Sequence, residues 1–179
     1  NSGCANILKS AQNRKNSIGN IVMQYGLTEE QEMIVSTVRS FVEKEIYPHE
    51  DLVERTGEVP KEIADEIKRK TLELGFYGCN FPEEVGGAGL NHTDFALVER
   101  ELGRGSMALN HFFGRPQNIL MACNPEQRKR YLMPAMRGER MDALAMTEPG
   151  AGSDVRGMNC NAVRDGGDWV VNGTKHFIS

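Results

Sequence analysis

Apolar residues in the first 140 positions return at intervals of three and four, the spacing that places them on one face of a helix. The first stripe runs through Met33, Ile34, Val38, Phe41, Val42 and Ile46 and is entered through Thr28-Glu29-Glu30-Gln31. In that tetrapeptide the Thr28 hydroxyl serves the N–H of Gln31 while the Gln31 amide reaches back, a capping box that sets a helix start. Pro48 has no N–H to give and is expected to limit this helix. Pro60 reads as the first residue of a second helix carrying Ile63, Ile67, Leu72 and Leu74, with Gly75 as its C-cap. From Phe76 to Leu90 glycine and proline are too dense for a regular element, and Phe76, Tyr77 and Phe81 make the stretch a packed loop. Asn91, with Asp94 three residues on, caps a third helix through Phe95, Ala96, Val98 and Leu102 to Gly103. The apolar run Met107 to Met121 is helical by composition but interrupted at Gly114, Arg115 and Pro116. Asn124-Pro125-Glu126-Gln127 then repeats the capping logic ahead of a short basic helix, Arg128 to Leu132.

After residue 140 the period shortens. Asp142 to Met146 predicts a short apolar strand, and Cys160 to Arg164 and Trp169 to Val171 flank the turn Asp165-Gly166-Gly167-Asp168. Asn172-Gly173 separates a further strand, Thr174 to Ile178, and Asn-Gly between apolar runs is a strong hairpin signal. The predicted class is α+β: an N-terminal all-α helical domain over 28–140, followed by the first strands of a β-barrel-like middle domain over 141–179. Lys175 to Ser179 stops without a turn or cap and reads as a fragment truncated inside a sheet, after about four strands. Residues 1–27 carry Lys9, Arg14 and Lys15, no acid and no sustained periodicity, and are expected to be disordered or non-native. A targeting presequence matches them poorly, and translated upstream sequence with a start at Met23 stays open beside it.

Composition narrows the function classes. The 179 residues are 39% hydrophobic and 26% charged with a net charge of −4, which fits a globular chain and argues against nucleic acid as partner. No run approaches the roughly 18 apolar residues of a membrane helix, so a soluble protein is expected. Cys4, Cys79, Cys123 and Cys160 are scattered, with no histidine at ligand spacing, which indicates neither zinc nor a disulfide framework and fits a reducing compartment.

Candidate chemistry concentrates at the junction of the two patterns, Met146-Thr147-Glu148-Pro149-Gly150-Ala151-Gly152-Ser153-Asp154. Thr, Pro, two Gly and Ser this close together give an irregular backbone whose N–H groups and hydroxyls suit an anionic or electron-rich ligand. Taken alone, the stretch serves equally well as a turn leaving a strand. Four motifs in order decide the matter: FPEEVGGAGL at 81–90, NPEQRKRYL at 124–132 with Gly138-Glu139 after it, MTEPGAGSD at 146–154, and NGTKHFIS at 172–179. Together they resemble the flavin-dependent acyl-CoA dehydrogenase family over about residues 24–179, its N-terminal helical domain and the start of its middle β domain.

The resemblance implies FAD as cofactor and α,β-dehydrogenation of an acyl-CoA thioester. It implies that Thr147 and the backbone around Leu144 to Met146 hydrogen-bond the flavin pyrimidine ring, where negative charge accumulates on reduction. Ser153 matches a residue that contacts CoA, with a plain turn serine as the other reading. Phe177 matches an aromatic, often Trp, packed on the flavin, and Ser179 a hydroxyl residue near its N5. Arg115, in a segment that lines the acyl pocket of relatives, would pair with a charged acyl terminus or else serve as a surface or interdomain arginine. Glu148, ahead of a proline, reads as structural. The base that removes the α proton is expected beyond Ser179, so no catalytic residue is assigned and the isolated fragment is expected to be inactive. Implied partners are an acyl-CoA, an electron-transferring flavoprotein and further copies in a homotetramer or homodimer, in a bacterial cytoplasm or a mitochondrial matrix. Acyl-CoA oxidases, flavin monooxygenases and non-catalytic members of the same fold remain as alternatives.

Overall fold

In the computed structural model, which describes residues 26–178, the Thr28 hydroxyl accepts the Gln31 N–H at 3.2 Å and the Gln31 side chain accepts the Thr28 N–H at 3.1 Å. The expectations for residues 1–25 and for a flavin contact at Ser179 lie outside the described residues. Helix α1 (Glu29–Phe41) follows the capping box and buries Ile34, Val38 and Phe41 as the stripe predicts, together with Val35, while Met33 stays partly exposed. Pro48 does not end the helix. The chain passes through one π-turn (Val42–Ile46), in which the Tyr47 N–H reaches the Val42 carbonyl, into α2 (Tyr47–Thr56). The wider turn makes room for the proline ring, and Pro48 falls in the first turn of α2, where a missing N–H costs little.

Helix α3 (Lys61–Leu74) starts one residue later than the sequence suggests: Pro60, at φ −56° and ψ 139°, is the extended N-cap rather than the first helical residue. Gly75 closes it at φ 77°. Thr71 rather than Leu72 takes a buried position, its hydroxyl donating to the Ile67 carbonyl at 2.8 Å. The aromatic loop is packed as expected, with Phe76, Tyr77, Cys79 and Phe81 buried. Asn91 then caps α4 (His92–Leu102), accepting the N–H groups of Thr93 and Asp94.

Helices α1 and α4 pack side by side and are joined by two polar ties. Gln31 Nε2 donates to Asp94 Oδ1 at 2.8 Å, and Arg39 donates twice to the Glu101 carboxylate, at 2.9 and 3.2 Å. Both ties advance along both helices in the same direction, so the pair runs parallel. Ile34, Val38, Ile46, Ile67, Val98 and Leu102 share one core with Leu109 and Phe113, whose ring meets Phe41 edge-on at 5.3 Å.

Between Met107 and Met121 no long helix forms: one α-turn (Met107–Asn110) and a 3-10 turn (His111–Phe113) precede Gly114, and a second 3-10 turn (Asn118–Ala122) follows it. Gly114 has φ 87°, and a Cβ there would lie 2.0 Å from the Tyr77 ring. Its carbonyl accepts the Gly78 N–H at 3.0 Å, so the break lets two loops cross closely. The Asn124 capping box forms and leads through a π-turn (Arg128–Leu132) into Met133–Met136. Leu132 and Met136 cluster with Phe81 and Val85 in a second core.

A separate compact unit begins at Met141. Here the sequence predicts more strand than forms. The run Asp142 to Met146 is irregular, because among the described residues no neighbouring strand supplies it with a ladder. Strands β1 (Asn161–Asp165) and β2 (Asp168–Asn172) make the expected antiparallel hairpin, with Asn161 opposite Asn172 and Val163 opposite Val170. Gly166, at φ 57°, and Gly167 make the two-residue turn. Asn172-Gly173 does not turn a second hairpin: Gly173 sits at φ 145°, against Cys160, and Thr174 to Ile178 form no strand. Those residues are instead tied to the Thr147 segment, as the His176 N–H donates to the Thr147 carbonyl at 2.9 Å. The sheet therefore has two strands among the described residues, not about four.

Candidate functional site

The stretch from Met146 to Asp154 is a tight turn followed by an open arm. Glu148 and Ala151 exchange N–H···O bonds of 2.9 and 3.2 Å, closing the turn around Pro149 and Gly150. Farther on, Asp154 accepts the Arg156 N–H with its side chain and the Gly157 N–H with its carbonyl, so this part of the loop serves its own turn. Gly150 and Gly152 have ordinary φ values and open space where a Cβ would go, so their own backbone does not require glycine.

Glu148 is the buried anchor of the loop. Its carboxylate accepts the Asn159 N–H at 2.6 Å, the Cys160 N–H at 3.0 Å and the Lys175 ammonium at 2.8 Å. Bonding to Lys175, then to the Asn159 N–H, pulls its pKa down to about 2. The same ammonium donates to the Met146 carbonyl at 2.9 Å. Three chain segments, 146–148, 158–160 and 174–176, are thereby fastened at one carboxylate and one ammonium. Nearby, the Cys160 thiol is pushed up by its bond to Glu148.

The N–H groups of Leu144, Ala145, Met146 and Thr147 and the Thr147 hydroxyl have no acceptor among the described residues. The Leu144 and Met146 side chains are exposed beside them, at 54% and 41%. Free donors next to apolar surface suit the edge of a planar, electron-rich heterocycle, and Glu148, the acid next to Thr147, is already neutralised by Lys175. The donor set therefore fits the pyrimidine edge of a flavin.

Other predicted residues are placed differently. Ser153 is exposed, and its hydroxyl has no partner among the described residues. Phe177 is 91% exposed, at φ 56°, a left-handed conformation uncommon for a bulky residue, and its ring meets that of His176 edge-on. Arg115 belongs to the helical unit and is half-buried in an ion pair with Glu99, so its charge is already met within the chain. Cys79 lies close enough to this pair to feel both charges, and burial pushes its thiol up to about 12. The residue that sequence reading missed is Lys175. It lies inside the NGTKHFIS motif, in a run whose pattern predicts a strand, and only its pairing with Glu148 of the MTEPGAGSD motif marks it.

Comparison with known proteins gives this geometry its family. The model of the acyl-CoA dehydrogenase N-terminal domain matches residues 28–139, and that of the middle domain matches 143–179. The chain is 37% identical over 157 residues to a 3-(aryl)acrylate reductase of Clostridium sporogenes, covering 85% of this chain and 41% of the relative. It is 36% identical over 158 residues to the caffeyl-CoA reductase-Etf complex subunit CarC of Acetobacterium woodii, with coverages of 85% and 41%. Among solved structures it superposes on a glutaryl-coenzyme A dehydrogenase in complex with glutaryl-CoA at TM-score 0.72 and 34% identity, covering 87% of this chain and 40% of that one. An acyl-CoA dehydrogenase of Bacillus anthracis complexed with FAD matches at TM-score 0.68 and 30% identity, covering 85% and 27%. The chain thus spans about two fifths of the length of the curated relatives it matches. With both family models matching in order and a donor-lined loop at their junction, the chain belongs to the acyl-CoA dehydrogenase family.

Proposed function

We propose that the whole protein is a flavin-dependent oxidoreductase that introduces an α,β double bond into an acyl-CoA thioester, with FAD as its cofactor. The carrying observation is the set of free N–H donors from Leu144 to Thr147, followed by a turn whose acid is tied to Lys175. When bound, FAD supplies the two-electron chemistry. In this reading the Leu144–Thr147 backbone and the Thr147 hydroxyl hold the pyrimidine edge and stabilise the negative charge that gathers there. Phe177 supplies an aromatic face and Ser179 a hydroxyl on the flavin, and Ser153 contacts the CoA moiety. Arg115 reaches a charged acyl terminus only by leaving Glu99. No residue of the chain is assigned as the base: Glu148, held ionised by three donors on its carboxylate, lacks the basicity.

Electrons pass in this reading to an electron-transferring flavoprotein, supported by the relative that is a subunit of an Etf complex. Assembly as a homotetramer or homodimer and a bacterial cytoplasmic setting belong to the same proposal. Among the described residues no helix is long and apolar enough to cross a membrane. The test is anaerobic: an acyl-CoA should bleach the bound flavin of the whole protein, with slow return of colour in air. Fast peroxide formation would make it an oxidase instead. The two reductases among its relatives favour one second reading, reduction of an acrylyl thioester, in which an electron-transferring flavoprotein would supply two electrons through FAD and the unsaturated thioester would accept them with two protons.

A further inference from the structure

We propose that Lys175 is a positioning residue that orients and strengthens the Thr147 N–H as a flavin donor, with Glu148 as the counter-charge that moderates it. The inference rests on the flavin reading of this loop and deepens it. A peptide group is planar and trans, so the Met146 carbonyl and the Thr147 N–H belong to one rigid plane and point in opposite directions. Lys175 Nζ donates to that carbonyl at 2.9 Å. It therefore fixes the direction of the Thr147 N–H without touching whatever that group binds. The next peptide is fixed in the same way, because the His176 N–H holds the Thr147 carbonyl at 2.9 Å and the Glu148 N–H is spent on Ala151. Two successive residues of one segment, Lys175 and His176, thus set two successive peptide planes of the loop.

Direction is half of the effect and polarisation is the other half. A cation on a carbonyl oxygen draws electron density through the amide and makes the N–H at the other end a better donor, the sense of cooperativity expected for chained hydrogen bonds. Glu148 Oε1, 2.8 Å from the same ammonium, returns part of that charge. Asn159 and Cys160 hold the carboxylate in place through their N–H groups, so ammonium and carboxylate keep a fixed distance from the 146–147 peptide. Removing the cation and removing the anion should therefore act in opposite directions on a flavin whose reduced form is the more negative.

The experiment measures the two-electron reduction potential and the FAD affinity of the FAD-loaded whole protein and its variants. Lys175→Met should weaken binding of the reduced relative to the oxidised cofactor about tenfold, a potential lower by ~30 mV. Lys175→Arg, which keeps a cation and a donor, should recover most of that shift. Glu148→Gln keeps shape and an acceptor but drops the counter-charge, and should raise the potential. This opposite sign is what a merely structural role would not produce. If the parent binds FAD and Lys175→Met leaves potential and affinity unchanged, or if Lys175→Met and Glu148→Gln move the potential the same way, the positioning role is refuted while the flavin reading stands. Should Lys175→Met fail to fold, Glu148→Gln decides by its sign alone. If the parent takes up no FAD, the flavin reading falls and this proposal with it.

Discussion

Glu101 offers the sharpest test of what holds the helical unit together. Its side chain is 2% exposed, yet it carries a charge, and two arginines donate four hydrogen bonds to it: Arg39 at 2.9 and 3.2 Å, Arg100 at 3.0 and 2.8 Å. Arg104 approaches to 4.0 Å. Glu101→Gln keeps the volume and one acceptor but loses the charge and turns an amide donor toward a guanidinium. Charge-assisted bonds contribute about 1.5–3 kcal/mol each. The arginines are about half exposed and return to water when released, so the four bonds do not add. The expected loss is about 2–3 kcal/mol in denaturant unfolding at neutral pH. Arg39→Met should then cost less in the Glu101→Gln background than in the parent, because the bond it removes is already weakened. The Arg39 guanidinium holds the folded Glu101 pKa below the usual carboxylate value. The stability it contributes is thus present above the unfolded value near 4.5 and lost as pH falls through the folded one, so the parent's advantage over Glu101→Gln should shrink in acid. A Glu101→Gln protein within ~0.5 kcal/mol of the parent at pH 7, or strict additivity with Arg39→Met, would refute this account.

Gly114→Ala places a Cβ 2.0 Å from the Tyr77 ring at φ 87° and should destabilise the helical unit by about 2–5 kcal/mol in denaturant unfolding, with Tyr77→Ala relieving the steric part. Gly173→Ala drives a Cβ to 2.0 Å from Cys160 Sγ and 2.8 Å from its Cα, so FAD affinity of the whole protein should fall, and Cys160→Gly should restore it only in part, because the clash with the Cα remains. Cys79, buried and pushed up to about 12, should react with a thiol reagent at pH 8 only at the rate of unfolding, and labelling as fast as a free thiol would contradict its burial.

The parts of the fold legible in sequence are those fixed by local chemistry. Both capping boxes, at Thr28 and Asn124, and the αL glycine at 75 need only a few neighbouring residues to form, and all three do. The hairpin turning at Gly166-Gly167 is of the same kind. What misled were signals whose outcome depends on distant partners. Pro48 reads as a stop, but the helix survives because a π-turn absorbs the ring, and Val42 and Ile46 of that turn are fully buried. Asn172-Gly173 has a hairpin's composition, but Lys175 and His176 find better partners in the Met146–Glu148 segment than a strand would give them. The candidate loop follows the same rule. The loop announced itself by local composition, while its supporting lysine lies 27 positions from its carboxylate partner and has no local signature.

That arrangement also separates two roles that one acid in a binding loop could otherwise be given. A general base must come within reach of the proton and have a pKa near the working pH. Glu148 has its carboxylate occupied by Asn159, Cys160 and Lys175 and a pKa drawn down to about 2. As pH falls, its contribution to the loop is present above the ordinary carboxylate value and lost only through about 2, so the clasp is intact across the range in which enzymes work. A group this firmly ionised can set the direction of a neighbouring peptide and the charge felt by a lysine, but it cannot take up a proton at neutral pH. Glu148 can therefore lend the loop electrostatics and a fixed geometry, while in the proposed dehydrogenation the proton would go to another group.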